Sequence, residues 1–350
     1  MRPVIPRAAP LDGGAQPSSF MPSLARSCAL AVACLVPWSS HAAPAATESF
    51  PERPVRVIVP HTPGGLVDTF TRYLAQNLAT KWGRAVVVEN RPGANQAIAA
   101  ELVSKASPDG YTLLVGTQTG LVLNAIVRDD LPFDPVRDFA PITGLFTTPF
   151  YLVVHPKVQA HSVEELIALA KSRPGKLTYA SIGVGSAHQL AGETFKTLTG
   201  TDILHVAYKG SAPAITDLLG GQVDMMFEGG ASSLPNVRSG KLRALASTGP
   251  HRTADMPDLP TISETVPGFD LTVWIGLVAP AGTPQAVVDK INRDATEILK
   301  RPETTRQFSA VGIEVMPTTP TELAQRIHSE IPQWTQVMRA AGIRPQGGDK

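Results

Sequence analysis

A strand, a glycine turn and a helix follow one another without a break shortly after residue 50. Val55–Val59 is an apolar run of strand length, and residues 60–65 are rich in proline and glycine. Apolar residues then recur at helical spacing, at Phe70, Tyr73, Leu74, Leu78 and Trp82. A strand that turns directly into an amphipathic helix is the repeating unit of α/β proteins, so this order favours that fold class.

Short apolar strands and amphipathic helices alternate through the rest of the chain. We predict further strands at residues 85–89, 111–116, 151–155, 177–180, 203–206, 223–227, 242–246 and 272–278. This pattern predicts largely parallel sheets in two similar halves, with crossings near residues 150 and 270. We expect one lobe of residues 50–150 plus 270–350 and a second of residues 151–269. Ligands of such sheets lie at the carboxyl ends of the strands, here facing each other across a cleft.

The first 43 residues have the parts of a secretory signal peptide. Arg26 precedes a short apolar run at residues 28–36, and small residues around Ala42 and Ala43 suit cleavage. The run is shorter than the roughly 20 residues that span a bilayer. Met21 is a candidate for the true start, because residues 1–20 do not look like the start of a signal peptide. We therefore expect a protein exported to the periplasm.

Both cysteines, Cys28 and Cys34, lie in the segment that we expect to be removed. The mature chain would then contain neither a disulfide nor a reactive thiol. The sequence Ala31-Val-Ala-Cys34 resembles a lipid-attachment motif without its leucine, which favours simple cleavage. With 31 basic and 30 acidic residues the formal charge is +1, so composition gives no support for nucleic-acid binding.

The turn at residues 60–65 is the first candidate binding site. A strand end, glycines and a helix start together present several free backbone N–H groups, which suits an anion. The candidate ligand-binding residues here are Pro60, His61, Thr62, Gly64 and Gly65. An ordinary strand-to-helix turn would have the same sequence, and Asp68 is then a first-turn acid that stabilises the helix dipole.

A second glycine turn at residues 183–188 offers Gly185, Ser186 and His188 as candidates for the same anion. The alternative is a serine hydrolase with Ser186 as nucleophile and His188 as base. That chemistry needs the elbow G-x-S-x-G and an acid that orients the histidine, and neither is evident. Residues two apart on a helix also point in different directions.

Further candidates follow other predicted strands. Tyr208 and Lys209 form a third turn before a helix. Glu228 directly follows the strand predicted at residues 223–227. At the carboxyl end of the strand predicted at residues 111–116 lie three polar residues, Thr117, Gln118 and Thr119. The histidines are scattered without the spacing of a metal site, and P-loop and dinucleotide motifs do not occur. We expect no cofactor, no metal and no catalytic residues.

The chain resembles the periplasmic solute-binding proteins of tripartite tricarboxylate transporters, also called Bug receptors. The resemblance runs from Pro51 to about Pro345. The motifs that carry it are Val59-Pro60 with Pro63-Gly-Gly65 and Asp68, Glu89-Asn-Arg-Pro-Gly93, Pro108-Asp-Gly-Tyr-Thr112, Gly183-Val-Gly-Ser186, Tyr208-Lys-Gly-Ser-Ala-Pro-Ala214, Asp217-Leu-Leu-Gly-Gly-Gln-Val-Asp224, Ser239-Gly-Lys-Leu-Arg-Ala244 and Ala279-Pro-Ala-Gly-Thr-Pro284.

The resemblance implies a two-lobed, Venus-flytrap (type II periplasmic-binding-protein-like) receptor that is not an enzyme. It would hold a small carboxylate between its lobes, gripped at residues 60–65, 117–119 and 185–186. Its partners would be membrane transporter subunits or a sensor protein, and we expect a monomer.

Three departures from the family pattern involve four residues. His61 and Leu66 stand where an aromatic and a small residue are usual, and Asn95-Gln96 replaces two glycines. His61 could add a hydrogen-bond donor or a pH-sensitive charge. Few charges can be placed in the cleft, so the sequence favours a monocarboxylate or an aromatic carboxylate over citrate.

Overall fold

The computed structural model describes residues 50–340, 342, 343 and 345. The predicted signal peptide and both cysteines lie outside the described residues. The described residues belong to one compact unit in which strands and helices alternate, which confirms the α/β class. No helix of the described part has both the length and the apolar character that a membrane span requires.

The nine predicted strands are present in the predicted order, and a tenth short strand, β10 at Glu314–Val315, was not predicted. The strands are β1 Val55–Val59, β2 Val86–Asn90, β3 Thr112–Thr117, β4 Phe139–Val154, β5 Thr178–Ser181, β6 Leu204–Ala207, β7 Met225–Gly229, β8 Arg243–Ser247, β9 Thr272–Pro280 and β10 Glu314–Val315. The helices are α1 Leu66–Trp82, α2 Ala97–Ser104, α3 Asn124–Val127, α4 Val163–Ser172, α5 Ala187–Thr199, α6 Ser211–Leu219, α7 Gly230–Arg238, α8 Gln285–Leu299, α9 Pro302–Ser309 and α10 Pro320–Ala340.

The strands form one mixed sheet in the order β2-β1-β3-β9-β4-β7-β5-β6, and β8 and β10 also pair with β4. Strand β1 is parallel to β2 and β3, and β5 is parallel to β6 and β7. The strands in the middle, β9 and β4, run antiparallel to their neighbours. The predicted parallel sheets are therefore present at both ends and are joined by long antiparallel strands.

Strand β4 connects the two ends of the sheet. Its residues 139–149 pair with β9, and its residues 150–154 pair with β7. The sequence predicted only residues 151–155, because Pro141, Gly144 and Pro149 interrupt the apolar pattern before them. The register shifts beside the first two of these residues, which accommodates them. Gly144 is required by close packing, since a Cβ there would lie 2.4 Å from the carbonyl oxygen of Met316. Most other strands begin and end one or two residues later than predicted.

Helix α1 packs the predicted apolar face against the sheet. Phe70, Leu74 and Leu78 are buried, and the ring of Phe70 lies 4.5 Å from that of Phe146. Each such buried side chain contributes about 1.5–3 kcal/mol relative to an exposed one. Trp82 is only partly buried and donates its indole N–H to Asp294 at 2.8 Å. This packing fixes where α1 begins, and with it the first candidate turn.

Candidate functional site

A small cavity lies where the ends of several strands and the starts of two helices meet. Its volume is about 140 Å³. The lining residues are His61, Leu66, Val67, Gln96, Thr117, Thr119, Phe146, Thr148, Phe150, Ile182, Ala187, His188, Val273 and Ile275. They come both from residues 50–150 with 270–350 and from residues 151–269. Among these described lining residues there is no Lys, Arg, Asp or Glu.

Polar atoms without a partner distinguish this cavity from larger ones. One of about 410 Å³ lies beside β4 and β10, and one of about 440 Å³ lies between α1, α7 and α9. The small cavity is lined by His61 and His188, and neither of the two larger ones is. The Nδ1 atom of His61 and both ring nitrogens of His188 are buried and have no hydrogen-bond partner within the described residues. Such atoms cost about 1–3 kcal/mol each when unsatisfied, so they call for an explanation such as a ligand.

Asp68 holds the first turn in shape. Its Oδ2 accepts a hydrogen bond from the Gly64 amide at 2.8 Å, and its Oδ1 accepts one from Asn90 Nδ2 at 2.8 Å. Burial by itself would raise the pKa of Asp68, but hydrogen bonds from Arg72, Gly64 and Asn90 leave that pKa below its usual value. Asn90 Nδ2 also donates to the carbonyl oxygen of His61 at 3.0 Å. The Gly64 amide, predicted to bind the anion, is therefore used inside the turn.

Two helix N-termini border the cavity. Leu66 and Val67 open α1, and Ala187 and His188 open α5, and all four residues line it. Their amides precede the first intrahelical donors, Thr69 and Leu190. The first N–H groups of a helix have no intrahelical acceptor and carry the positive end of the helix dipole. The site can therefore attract an anion without a charged side chain.

His61 is a neutral histidine in this cavity. Burial lowers the pKa of His61 from 6.5 to about 4. The ring is therefore uncharged at neutral pH, where one nitrogen donates and the other accepts. The pH-sensitive charge predicted for His61 would therefore appear only in acid, well below physiological pH.

His188 lies between an aromatic wall and a buried carboxylate. Its ring centroid is 4.4 Å from that of Phe150, and its Nε2 is 3.6 Å from Glu228 Oε2. The hydroxyls of Ser211 and Ser232 each donate to Glu228 at 2.8 Å. Burial by itself would raise the pKa of Glu228, yet the neighbouring His188 ring and the hydrogen bonds from Ser232 and Ser211 hold that pKa below its usual value. Glu228 does not line the cavity but stands behind His188.

Ser186 caps helix α5. Its hydroxyl donates to the carbonyl oxygen of Gly183 at 2.7 Å and accepts from the amide of Gln189 at 3.3 Å. The amide of Gly185 donates to Gln189 Oε1 at 2.8 Å. Neither ring nitrogen of His188 is hydrogen-bonded to Ser186. The nucleophile–base pair of a serine hydrolase is thus not assembled here.

A half-buried histidine that sequence analysis missed, His205, braces this second turn. His205 Nε2 is 2.6 Å from Ser181 Oγ, and its Nδ1 is 3.3 Å from Gln189 Nε2. Burial lowers the pKa of His205. The network connects β6 to the start of α5, so it fixes the turn that carries His188.

The third turn lies away from the cavity. The Tyr208 hydroxyl donates to Asp217 at 2.8 Å, and burial together with this carboxylate raises the pKa of Tyr208 to about 12. Lys209 is exposed to solvent. Both residues were predicted from their place after a strand, which does not fix the direction of a side chain.

Gln118 is part of a buried cluster behind the cavity. Its Nε2 donates to Glu330 Oε2 at 2.9 Å, and Trp274 Nε1 donates to the same oxygen at 2.8 Å. Its neighbours Thr117 and Thr119 line the cavity instead. Gln118 therefore connects the end of β3 to helix α10 and does not contact the cavity.

Three consecutive residues before α2 have left-handed backbone conformations. The φ angles are 45° at Ala94, 49° at Asn95 and 78° at Gln96. Such conformations cost non-glycine residues about 1–2 kcal/mol each. The segment brings Gln96 to the cavity, where its Oε1 accepts a hydrogen bond from the hydroxyl of Thr117.

Part of the predicted site lines the cavity: His61, Thr117, Thr119 and His188. The predicted residues that do not line it are Pro60, Thr62, Gly64, Gly65, Gln118, Gly185, Ser186, Tyr208, Lys209 and Glu228. The lining residues that sequence analysis missed are Leu66, Val67, Gln96, Phe146, Thr148, Phe150, Ile182, Ala187, Val273 and Ile275. Of these, Leu66 and Gln96 had a signal, as departures from the family pattern. Which residues contact a ligand stays a prediction. Within the described residues, no group of three His, Cys, Asp or Glu side chains could hold a metal ion.

Comparison with known proteins identifies similar chains over most of this length. Residues 70–343 match the family described as "Tripartite tricarboxylate transporter family receptor". Protein BugT of Bordetella pertussis is 36% identical over 305 residues, which cover 87% of this chain and 94% of BugT.

Two solved structures with bound ligands have the same fold. The R. palustris protein Rpa4515, solved with adipate, is 35% identical with a TM-score of 0.79, covering 85% of this chain and 100% of that one. MatC of Rhodopseudomonas palustris, solved with malate, is 31% identical with a TM-score of 0.72, covering 82% and 99%.

Proposed function

The chain belongs to the tripartite tricarboxylate transporter receptor family, and we propose that it captures a small organic carboxylate in the cavity between α1 and α5. The observation that carries this proposal is the meeting, at one cavity, of two helix N-termini and two histidines whose buried Nδ1 atoms have no hydrogen-bond partner in the described part of the chain. Amide and imidazole donors are suited to a carboxylate. Its relatives of known structure include one with adipate and one with malate.

The cavity favours a ligand with one carboxylate and an apolar body. Eight of its lining residues are apolar, the rest are Thr, Gln or His, and no Lys, Arg, Asp or Glu is among those described. An apolar cavity of about 150 Å³ holds benzene, so about 140 Å³ suits a body of similar size. A second carboxylate would have to be buried without a cation, which is costly. The proposed class therefore includes aromatic and short aliphatic monocarboxylates.

The proposal extends to how the receptor works. Residues 50–150 with 270–350 would form one lobe and residues 151–269 the other, and the change of partner in β4 at residues 149–150 supports a hinge there. Closure of the lobes would remove the ligand from water, and the closed form would be recognised by transporter subunits. A sensor protein could recognise the same form. We further propose that the protein is exported with cleavage near Ala42, acts in the periplasm as a monomer and catalyses no reaction.

Native mass spectrometry of the purified protein, followed by calorimetry with any compound found, tests the ligand class. We expect a carboxylate of fewer than about a dozen heavy atoms, in keeping with the cavity volume. A thermal-shift panel of carboxylates, phosphates and sugars provides the comparison. Stabilisation by phosphates or sugars, with none by carboxylates, would contradict the proposal.

Ser186→Ala separates a receptor from a hydrolase. Loss of the helix cap should reduce the free energy of unfolding by about 1 kcal/mol and leave carboxylate binding within a few-fold. Calorimetry and an ester-hydrolysis assay are run on both proteins. Ester turnover by the wild type that disappears in the variant would favour the hydrolase.

A further inference from the structure

We infer that Gln96 is a ligand-binding residue whose side-chain amide donates a hydrogen bond to the carboxylate of the bound ligand. This inference rests on the proposed function. It adds to the site a residue that lies outside the two glycine turns, at residues 60–65 and 183–188, from which the site was first predicted. It also explains why the chain keeps three left-handed residues in a row beside the cavity.

Gln96 lies on the polar edge of the cavity. It follows β2, as His61 follows β1 and Thr119 follows β3. Strand β1 is parallel to both neighbours, so the carboxyl ends of these three strands share one edge of the sheet. The residues of β4 and β9 that line the cavity are mostly aromatic or aliphatic. A carboxylate would therefore be directed toward the edge that carries Gln96.

The neighbours of Gln96 determine which end of its amide is available. The hydroxyl oxygen of Thr117 accepts a hydrogen bond from the Gly120 amide at 3.1 Å. Its own proton is then free to donate to Gln96 Oε1, the bond described above. The amide oxygen is thereby occupied, and in the described part of the chain Gln96 Nε2 has no acceptor. A neutral donor is left at an uncharged site, where a hydrogen bond to a carboxylate is strong.

The conformation of the segment indicates a use for this side chain beyond folding. Glycine would adopt the φ angles at Ala94, Asn95 and Gln96 without strain. Asn95 and Asn124 exchange hydrogen bonds, from Asn95 Nδ2 to Asn124 Oδ1 at 3.0 Å and from Asn124 Nδ2 to Asn95 O at 2.8 Å. Strained residues persist where their surroundings over-determine them, and they cluster at functional sites. Asn95 has a structural role through these hydrogen bonds, whereas the Nε2 group of Gln96 takes part in none.

Three variants separate the effect of the Gln96 side chain on binding from the effect of the backbone strain around it. Ala94→Gly relieves a left-handed residue that is exposed and does not line the cavity, so it is the matched control. Gln96→Gly relieves the same kind of strain and removes the donor. Gln96→Glu keeps size and strain but replaces the donor by a carboxylate. Circular dichroism confirms folding, and calorimetry measures binding of benzoate, hexanoate and adipate to each protein.

We expect Ala94→Gly to raise the melting temperature by about 2 °C and to bind as the wild type does. Gln96→Gly should melt no lower than the wild type but bind the tightest of the three probes about 10- to 100-fold more weakly, the effect of losing one hydrogen bond to a charged group. Gln96→Glu should fold normally and bind more weakly still, because like charges then face each other.

Wild-type affinity in both Gln96 variants would overturn the inference and leave the proposed function intact. If the wild type bound none of the three probes, the carboxylate function itself would fail, and the inference with it. Equal losses of affinity in Ala94→Gly and Gln96→Gly would also overturn the inference, since the segment's shape and not the amide would then be responsible.

Discussion

Replacing His61 by Asn tests whether the cavity holds a neutral, buried histidine. Burial lowers the pKa of His61 from 6.5 to about 4. Between these values the unfolded chain binds a proton that the folded chain does not, so acidification favours unfolding. One pKa unit corresponds to about 1.4 kcal/mol. Because His61 keeps some exposure to solvent, we expect acidification from about pH 7 to about pH 4.5 to remove about 2 kcal/mol through this residue.

Urea unfolding at several pH values, followed by circular dichroism, measures this loss in the wild type and in His61→Asn. Other groups titrate in both proteins, including His205, whose pKa burial also lowers. The difference between the two proteins at each pH therefore isolates His61. Asn is a suitable replacement because it is polar at the position of Nδ1 but does not titrate. His251→Asn, at an exposed histidine, is the matched control and should have the acid dependence of the wild type.

The reasoning is refuted if the wild type and His61→Asn lose the same free energy of unfolding on acidification. That result would mean that the His61 ring is protonated as easily in the folded chain as in the unfolded one. The cavity would then be open to water at this point. It would also remove one of the two buried Nδ1 atoms on which the carboxylate proposal depends.

Two further substitutions test the supports of the site. Asp68→Asn should lower the free energy of unfolding by about 1.5–3 kcal/mol and weaken carboxylate binding, because the first turn loses its charged acceptor. An unchanged free energy of unfolding in urea denaturation, together with an unchanged affinity in calorimetry, would contradict this role. Arg326 Nε donates to Glu330 Oε1 at 3.1 Å, so Glu330→Gln would place an NH₂ group opposite a cation and should lower the free energy of unfolding by about 1–3 kcal/mol. It should also change the fluorescence of Trp274, whose indole N–H donates to Glu330; an unchanged emission spectrum would show that this bond is absent in solution.

The polar half of the site could be partly predicted from the sequence. His61, Thr117, Thr119 and His188 each follow a predicted strand, and parallel strands bring such positions to one edge. The same rule did not identify which backbone amides of the two glycine turns stay free, because it does not say which groups hydrogen-bond to each other. Gly64 donates to Asp68, and Gly185 donates to Gln189. Those bonds depend on side chains four residues further along each helix.

The apolar half of the site could not be predicted in this way. Phe146 and Phe150 come from a strand whose prolines and glycine hid its pattern, and Val273 and Ile275 come from a strand far away in sequence. Their meeting depends on the antiparallel pairing of β4 with β9, which no local signal specifies. The backbone strain at Gln96 was likewise invisible, since the sequence shows only that a glycine is missing.

By itself the sequence determined the α/β class, the order of the elements and the family, because apolar periodicity, turn residues and ordered motifs are local properties. The tertiary structure decided which amides remain free, which histidine nitrogens lack a hydrogen-bond partner and which strands form the apolar wall. These depend on contacts between residues distant along the chain, such as Phe150 with His188 and Gln96 with Thr117. Local patterns place a residue on an element, but only packing determines what its side chain meets.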